Sequence, residues 1–330
     1  MRHPARRPAL LSLLVLAATL RGVAEGAAPA YPRQTPFVVR DFPPVGARRG
    51  AVCYGPHRDG QRPGGAEPSV EELREDVQLL AGHWQQVRIY GSSGVAEPFL
   101  SVIRETGADL KVMLGAWITA DDSAGNRSEI EAAVRLANDY PDVVTAVAVG
   151  NETQVDWSAH RCPPEVLIAA LREVRARVSV PVTTADDFNF WNKPASRDVA
   201  AEVDFITMHA HPLWNGRQLD EGLVWLQEQT AAVAALHPDR PLVIGETGWA
   251  TARADAGEQA RLIKGAVGEA EQKIFHEAVR AWAEAEPITV YFFEAFDEIW
   301  KGGDDPAEVE KHWGLFHADR TPKAALRQGD

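Results

Sequence analysis

Two glutamates are presented by the same local design. Val147-Ala148-Val149-Gly150-Asn151-Glu152 and Leu242-Val243-Ile244-Gly245-Glu246 are both apolar runs that pass through a glycine into an acid. Each run reads as a buried strand, so the carboxylate emerges where the chain leaves the interior. The glycine lets backbone or ligand come close. Two converging carboxylates can cleave a glycosidic bond, and at about 5–5.5 Å apart one acts as nucleophile and the other as acid/base. Asn151, beside Glu152, offers an amide to a sugar 2-hydroxyl. Trp249, three residues after Glu246, offers a flat apolar face. A single glutamate so placed is more simply half of a salt bridge. Two of them, one beside an asparagine and one near a tryptophan, point to chemistry.

For the pair to meet, their strands must share a frame. From Gly50 onward, apolar runs alternate with longer amphipathic segments. The runs are 51–54, 86–90, 109–114, 143–149, 180–184, 203–208, 242–244 and 289–293. The segments between them read as helices over 69–81, 98–106, 127–139, 164–178, 195–201, 218–236 and 269–285, with a last short helix expected at 323–326. Ser69 and Ser128 precede acids and read as helix caps. Eight strand–helix units over about 270 residues predict an α/β fold, a single-domain (β/α)8 barrel spanning 50–330. An open doubly wound sheet is the alternative, but no glycine-rich phosphate loop follows the first run.

In such a barrel chemistry gathers where strands end. The residues after the runs are Tyr54, Tyr90, Trp117, Asn151 with Glu152 and Trp157, Asp186 with Asp187 and Trp191, His209 with His211 and Trp214, Glu246 with Trp249, then Glu294, Asp297, Glu298, Trp300 and Lys301. A face rich in tryptophan and carboxylate suits sugars, since rings stack on pyranoses while acids take hydroxyls. Any one of these tryptophans can equally cap the barrel mouth. Arg88, inward on the second strand, is expected to orient a carboxylate. His209-Ala210-His211 has a rival reading, because alternate strand residues share a side and two histidines can hold a metal. No second histidine pair stands at a strand end, so no metal and no cofactor are expected.

The chain is acidic, with net charge −13, which disfavours nucleic acid as a partner. Arg2, Arg6 and Arg7 precede an apolar run over 10–20 that is too short to span a bilayer. Residues 1–30 therefore read as a signal peptide, and the product as secreted or periplasmic, with no integral membrane segment once it is removed. Residues 31–49, rich in Pro and Arg, read as an arm or linker over the barrel bottom. Cys53 and Cys162 could pair, but one lies in a strand and the other before a helix, so separate buried thiols are expected. A monomer is expected.

The ordered segments Gly50-Ala51-Val52-Cys53-Tyr54-Gly55, Val87-Arg88-Ile89-Tyr90-Gly91, Gly150-Asn151-Glu152, Gly245-Glu246-Thr247-Gly248-Trp249, Phe293-Glu294-Ala295-Phe296-Asp297-Glu298 and His312-Trp313-Gly314-Leu315-Phe316 together resemble glycoside hydrolase family 17. This is a family of β-1,3-glucanases and glucanosyltransferases on retaining (β/α)8 barrels. The resemblance implies that Glu152 is the acid/base and Glu246 the nucleophile. It implies that Tyr54, Tyr90 and Asn151 line the subsite of the bond to be broken, with Glu298 and Lys301 supporting it. The substrate-binding set expected around them is Tyr54, Tyr90, Asn151, His211, Trp249, Glu298, Lys301, Trp157, Trp214 and Trp300. The implied partner is a β-1,3-glucan chain. Hydrolysis and transfer use the same residues, and both remain open, as do endo and exo action and the role of 251–268. One departure stands out: His211 occupies the place of a family tyrosine, where it is expected to bond to the nucleophile and make activity pH-sensitive. A glucan-binding protein without catalysis is disfavoured because both glutamates are present.

Overall fold

Apolar runs buried on both faces pair with their neighbours in sequence, as strands wrapped by crossover helices must. A computed structural model describes residues 31, 37–42, 50–286 and 288–327. The segment read as a signal peptide and much of the arm lie outside these. The order is β1 (Ala51–Cys53), α1 (Val70–His83), β2 (Gln86–Arg88), α2 (Ala96–Thr106), β3 (Lys111–Ala116), α3 (Ser123–Asp139), β4 (Val144–Asn151), α4 (Pro164–Arg177), β5 (Val182–Asp187), α5 (Phe188–Trp191), α6 (Arg197–Ala200), β6 (Ile206–His209), α7 (Leu219–Leu236), β7 (Leu242–Thr247), α8 (Gly257–Leu262), α9 (Glu269–Ala285) and β8 (Val290–Phe292). All strand pairs are parallel, and β1 closes on β8 to complete the barrel.

Caps fix several helix starts. Ser69 and Glu72 form a reciprocal capping box at α1. At α3 the cap is Asp122, whose carboxylate accepts from Gly125 N, so this helix begins a turn before the expected Ser128. The expected helix at 195–201 is broken up: α5 comes first, then a 3₁₀ turn over Pro194–Ser196, then α6. The expected last helix at 323–326 is a turn instead. There Lys323 N donates to Leu315 O, and its ammonium reaches Asp297 and Thr251, both at 2.8 Å. The turn closes on Lys323 O, which accepts from Leu326 N and Arg327 N, while the Lys323 side chain straps the barrel.

The barrel interior holds small residues beside large ones, with Ala51, Cys53, Ala146 and Ala148 against Met113, Phe205 and Tyr291. Residues 37–42 reach its lower end. Phe42 stacks on Phe205 with centroids 4.3 Å apart, and Arg40 donates to Val180 O and to Arg175 O. Cys53 and Cys162 are both buried and unpaired.

Three strands lose register near their C-terminal ends: β4 between Ala148 and Asn151, β6 between Met208 and His209, and β7 between Ile244 and Thr247. Such irregularities re-aim the side chains that follow. Here they fall under Glu152, His209 and Glu246. No described helix is long and apolar enough to cross a membrane.

Candidate active site

Glu152 leaves β4 through strained backbone. Gly150 has φ +81°, and Glu152 itself has φ +50°. A glutamate held there costs on the order of 1–3 kcal/mol, which the surrounding structure must supply. Its N–H donates to Ala185 O at 2.8 Å, anchoring the residue to β5. Its side chain is 26% exposed, against 8% for Glu246. One carboxylate oxygen of Glu152, one of Glu246 and a ring nitrogen of His209 all lie within 4.8 Å of one another.

Glu246 is saturated with donors. Arg88 Nη1 donates to Oε1 at 2.6 Å, Tyr90 Oη donates to the same oxygen at 2.9 Å, and His211 Nε2 stands 3.3 Å from Oε2. Burial alone would raise the Glu246 pKa. The donors around it, His211 and Arg88 with His209 nearby, outweigh it and hold the carboxyl well below the usual range. Arg88 also donates through Nη2 to Asn151 Oδ1. That bond assigns the amide oxygen to the guanidinium and leaves the amide N–H groups for the cleft.

The cleft has two halves that meet at Glu152, Glu246, Phe293 and Glu310. One half, a cavity of about 890 Å³, is lined from β1, β2, β3, β4 and β8 by residues including His57, Tyr90, Trp117, Asn151, Glu298, Trp300 and Lys301. The other, of about 560 Å³, is lined from β4 through β8 by Trp157, Asp187, Asn189, His211, Trp214, Glu258, Leu262 and Trp313. Pockets of this size accept sugar-sized ligands.

The model of the BtgE/BtgC glycoside hydrolase domain matches residues 51–314. The chain belongs to this family of glycoside hydrolases. The resemblance read from the sequence segments holds. A glucan 1,3-beta-glucosidase of Arthroderma benhamiae is 28% identical over 281 residues, covering 80% of this chain and 86% of that one. An endo-laminarinase from Formosa Hel1_33_131 superposes with a TM-score of 0.76 at 27% identity, covering 85% of this chain and 86% of that one. A Rhizomucor miehei beta-1,3-glucanosyltransferase mutant in complex with laminaritriose shares the fold, with a TM-score of 0.70 at 23% identity over 85% of this chain and 97% of that one.

In this glycosidase, charged residues after β8 brace the larger half. Lys301 Nζ donates to both oxygens of Glu294 at 2.8 Å and stands 2.7 Å from Glu298. Trp300 Nε1 and His57 meet the other Glu298 oxygen at 2.9 and 3.5 Å. A Cβ on Gly55 would sit 2.3 Å from the Glu298 carboxylate, so only glycine lets it in. Burial pushes both carboxyls up. Lys301 reverses this for Glu298, whose carboxyl is held well below its ordinary value, while burial and the neighbouring Glu298 charge keep that of Glu294 above its ordinary value. Asp297 pairs with Lys323 rather than joining this network.

The structure brings together Tyr90, Asn151, Trp157, His211, Trp214, Glu298, Trp300 and Lys301 around the two glutamates. Two expected contacts move. Trp249 is 1% exposed, its N–H donates to Ala266 O, and its ring packs on Phe275. The strand has turned it into the helical layer, where it is a core residue rather than a sugar platform. Tyr54 reaches the larger half with its ring, but its hydroxyl turns away and donates to Asp76 at 2.9 Å. Trp191, another expected mouth residue, is fully buried with its N–H on Thr207 O.

Three residues gain importance that sequence reasoning did not give them. Glu310, in a 3₁₀ turn over Val309–Lys311, lies where the halves meet and accepts from Trp214 Nε1 at 3.1 Å. Burial raises its pKa. The available signal was its position three residues before Trp313-Gly314-Leu315-Phe316, a segment already singled out. Asp187 lines the smaller half, and burial pushes it up to about 6. His209 stands between Glu152 and Glu246 at 3.0 and 3.5 Å. Glu152, His209 and Glu246 stand close enough to share a metal ion, but the Arg88 guanidinium already supplies positive charge 2.6 Å from Glu246. A second cation there would meet repulsion.

Segment 251–268 also finds a place. Its helix α8 contributes Glu258 and Leu262 to the smaller half. Gln259 ties it to the chain after β8, its Oε1 accepting from Val309 N at 3.0 Å and its amide bonding Glu308.

Proposed function

We propose that this glycoside hydrolase cleaves β-1,3-glucan by double displacement with retained configuration. The supporting observation is the spacing: one carboxylate oxygen of Glu152 and one of Glu246 lie within 4.8 Å of each other, which favours the short carboxyl separation of retaining enzymes over the roughly 6.5–9.5 Å of inverting ones. Glu246, kept ionised by its donors, attacks the anomeric carbon and forms a glycosyl ester as the glycosidic C–O bond breaks. Glu152, the more exposed carboxyl, gives its proton to the leaving oxygen. It then takes a proton from the incoming hydroxyl, whose oxygen displaces Glu246. The larger half holds Asn151 and Tyr90, the residues suited to the sugar being attacked, so it is the donor side. The smaller half, with Trp157 and Trp214, is the acceptor side. Water there gives hydrolysis, and a second glucan chain gives transfer.

The 1,3-linkage draws support from relatives named glucan 1,3-beta-glucosidase and endo-laminarinase. Incubation with a defined laminari-oligosaccharide tests the reading. We expect β-configured products, activity that survives EDTA, and its loss in Glu246→Gln. An α-configured first product, or EDTA-sensitive activity, overturns it. Products longer than the substrate show transfer. The basic start and apolar run over 10–20 support export, which N-terminal sequencing of the secreted or periplasmic protein checks. Gel filtration checks the expected monomer.

A further inference from the structure

The two glutamates differ in how they are held. Glu246 has Arg88, Tyr90 and His211 on its oxygens. Among the described residues, the Glu152 carboxyl has one hydrogen-bond partner, His209, whose Nδ1 lies 3.0 Å from Oε1. The His209 ring is wholly buried. It is set by a register shift of β6 at Met208/His209 and by the absence of a side chain on Gly245, where a Cβ would stand 3.2 Å from ring Cδ2. Its far nitrogen, Nε2, lies 3.5 Å from Glu246 Oε1. Asp187 pairs with it across β5, and Arg88 approaches from β2 through Glu246.

We propose that His209 is a positioning residue for the acid/base: its Nδ1 fixes Oε1 of Glu152 and leaves the second oxygen to face the glycosidic oxygen. This rests on the role assigned to Glu152 above. Glu152 sits at the strained, partly exposed end of β4, and without this bond its carboxyl can turn toward solvent. Glu246 keeps its three other partners. Loss of His209 therefore costs the step in which a poor leaving oxygen needs a proton. It costs little where the leaving group departs unaided.

Three variants test this, each with two substrates compared by kcat/KM, which reports steps up to the glycosyl ester. One substrate is a laminari-oligosaccharide, the other a 2,4-dinitrophenyl β-laminaribioside. We expect His209→Leu to lose on the order of 10²-fold on the oligosaccharide, the scale of acid catalysis, and less than about threefold on the aryl glycoside. An asparagine amide reaches the place of Nδ1, and a glutamine amide that of Nε2. His209→Asn is therefore expected to recover about tenfold on the oligosaccharide, a hydrogen bond's worth, and His209→Gln to recover little. Thermal melts confirm that each variant is folded. Equal loss on both substrates, no loss on the oligosaccharide, or recovery by glutamine alone overturns the proposal. Glu152→Ala, run beside them, separates the two ideas. If it shows no selective loss, the acid/base assignment itself fails. If it does and His209→Leu does not, only the role of His209 fails.

Discussion

The larger half of the cleft, the proposed donor side, is braced by buried charged groups beneath the half-exposed Trp300, and the smaller half, the proposed acceptor side, by rings that run from buried Trp313 to exposed Trp157. On the donor side, Arg88 and Lys301 each hold two partners, and Glu294 and Glu298 are almost fully covered. On the acceptor side, Trp157 is 60% exposed, and Glu258 and Leu262 come from a short helix inserted after β7. The difference follows from the chemistry each side must do. A sugar driven toward a charged transition state needs fixed dipoles that do not reorganise. An acceptor that can be water or glucan needs a surface to lie on, which stacking supplies with less demand for precision.

The largest effect should come from the fixed side. Glu246→Gln keeps the shape but removes the attacking carboxylate, and activity on laminari-oligosaccharides should fall by about 10⁴-fold or more. An intact melting curve should accompany it. Arg88→Met comes next. It leaves Glu246 buried beside one cation fewer and also frees the Asn151 amide to rotate. Breaking a buried pair from one side costs about 3–5 kcal/mol. Urea unfolding should show a loss of that order, with a fall in kcat. If Arg88→Met is as stable as the parent, the donor side is not held together as described.

Most of this frame was legible in the chain. Eight apolar runs ending in polar residues imply a barrel with its chemistry at one rim, and Glu152 and Glu246 stand out among the rim acids by the glycines before them, by Asn151 and Trp249 beside them and by the family resemblance. Strand periodicity could not show where the strands lose register. Trp249 shows the consequence. Counted along the sequence it belongs to the mouth, yet after the shift in β7 it packs on Phe275 in the helical layer. Tyr54 shows the same limit at the side-chain level, because nothing local predicts that Asp76, on α1, will claim its hydroxyl. Glu310 was hidden for another reason. It lies far along the loop after β8, and long-range ties such as those of Gln259 to Glu308 and Val309 and of Trp214 to Glu310 bring that loop over the cleft. His211 was readable as a partner of Glu246 from the family resemblance, since it stands in place of a tyrosine, whereas His209 reads from sequence mainly as a metal ligand.

His211 lines the smaller half while bonding Glu246, the proposed nucleophile, where the two halves meet. Burial would lower its pKa, but the bond and charge of Glu246, with the charges of Glu152 and Glu310, raise it above 6.5. A histidine raised in the folded state gives stability that is full below its unfolded value and is lost as pH rises through the folded value. Glu246, lowered in the folded state, contributes the opposite way, with stability present above its unfolded value near 4.5. The pair is therefore strongest between these limits. His211→Tyr keeps a hydroxyl donor that does not titrate there. The melting temperature of the parent minus that of the variant should be larger at about pH 5.5 than at about pH 8.5. A difference independent of pH would mean that the histidine acts through its shape alone.

The smallest effect should come from the exposed side and should be visible only in how products divide. Trp157 is largely in solvent, so Trp157→Ala should change stability by less than about 0.5 kcal/mol. It lines the smaller half and not the larger, so release of the leaving group from an aryl glycoside should be unchanged. An aromatic platform is worth about 0.5–1.5 kcal/mol to a ring stacked on it, or about twofold to tenfold in the capture of a glucan acceptor. Water needs no such platform. The ratio of lengthened to shortened laminari-oligosaccharides should therefore fall by about that factor in Trp157→Ala, while total turnover holds. If turnover falls and the ratio stays, Trp157 serves the donor side, and the division of the cleft at Glu152 and Glu246 runs the other way.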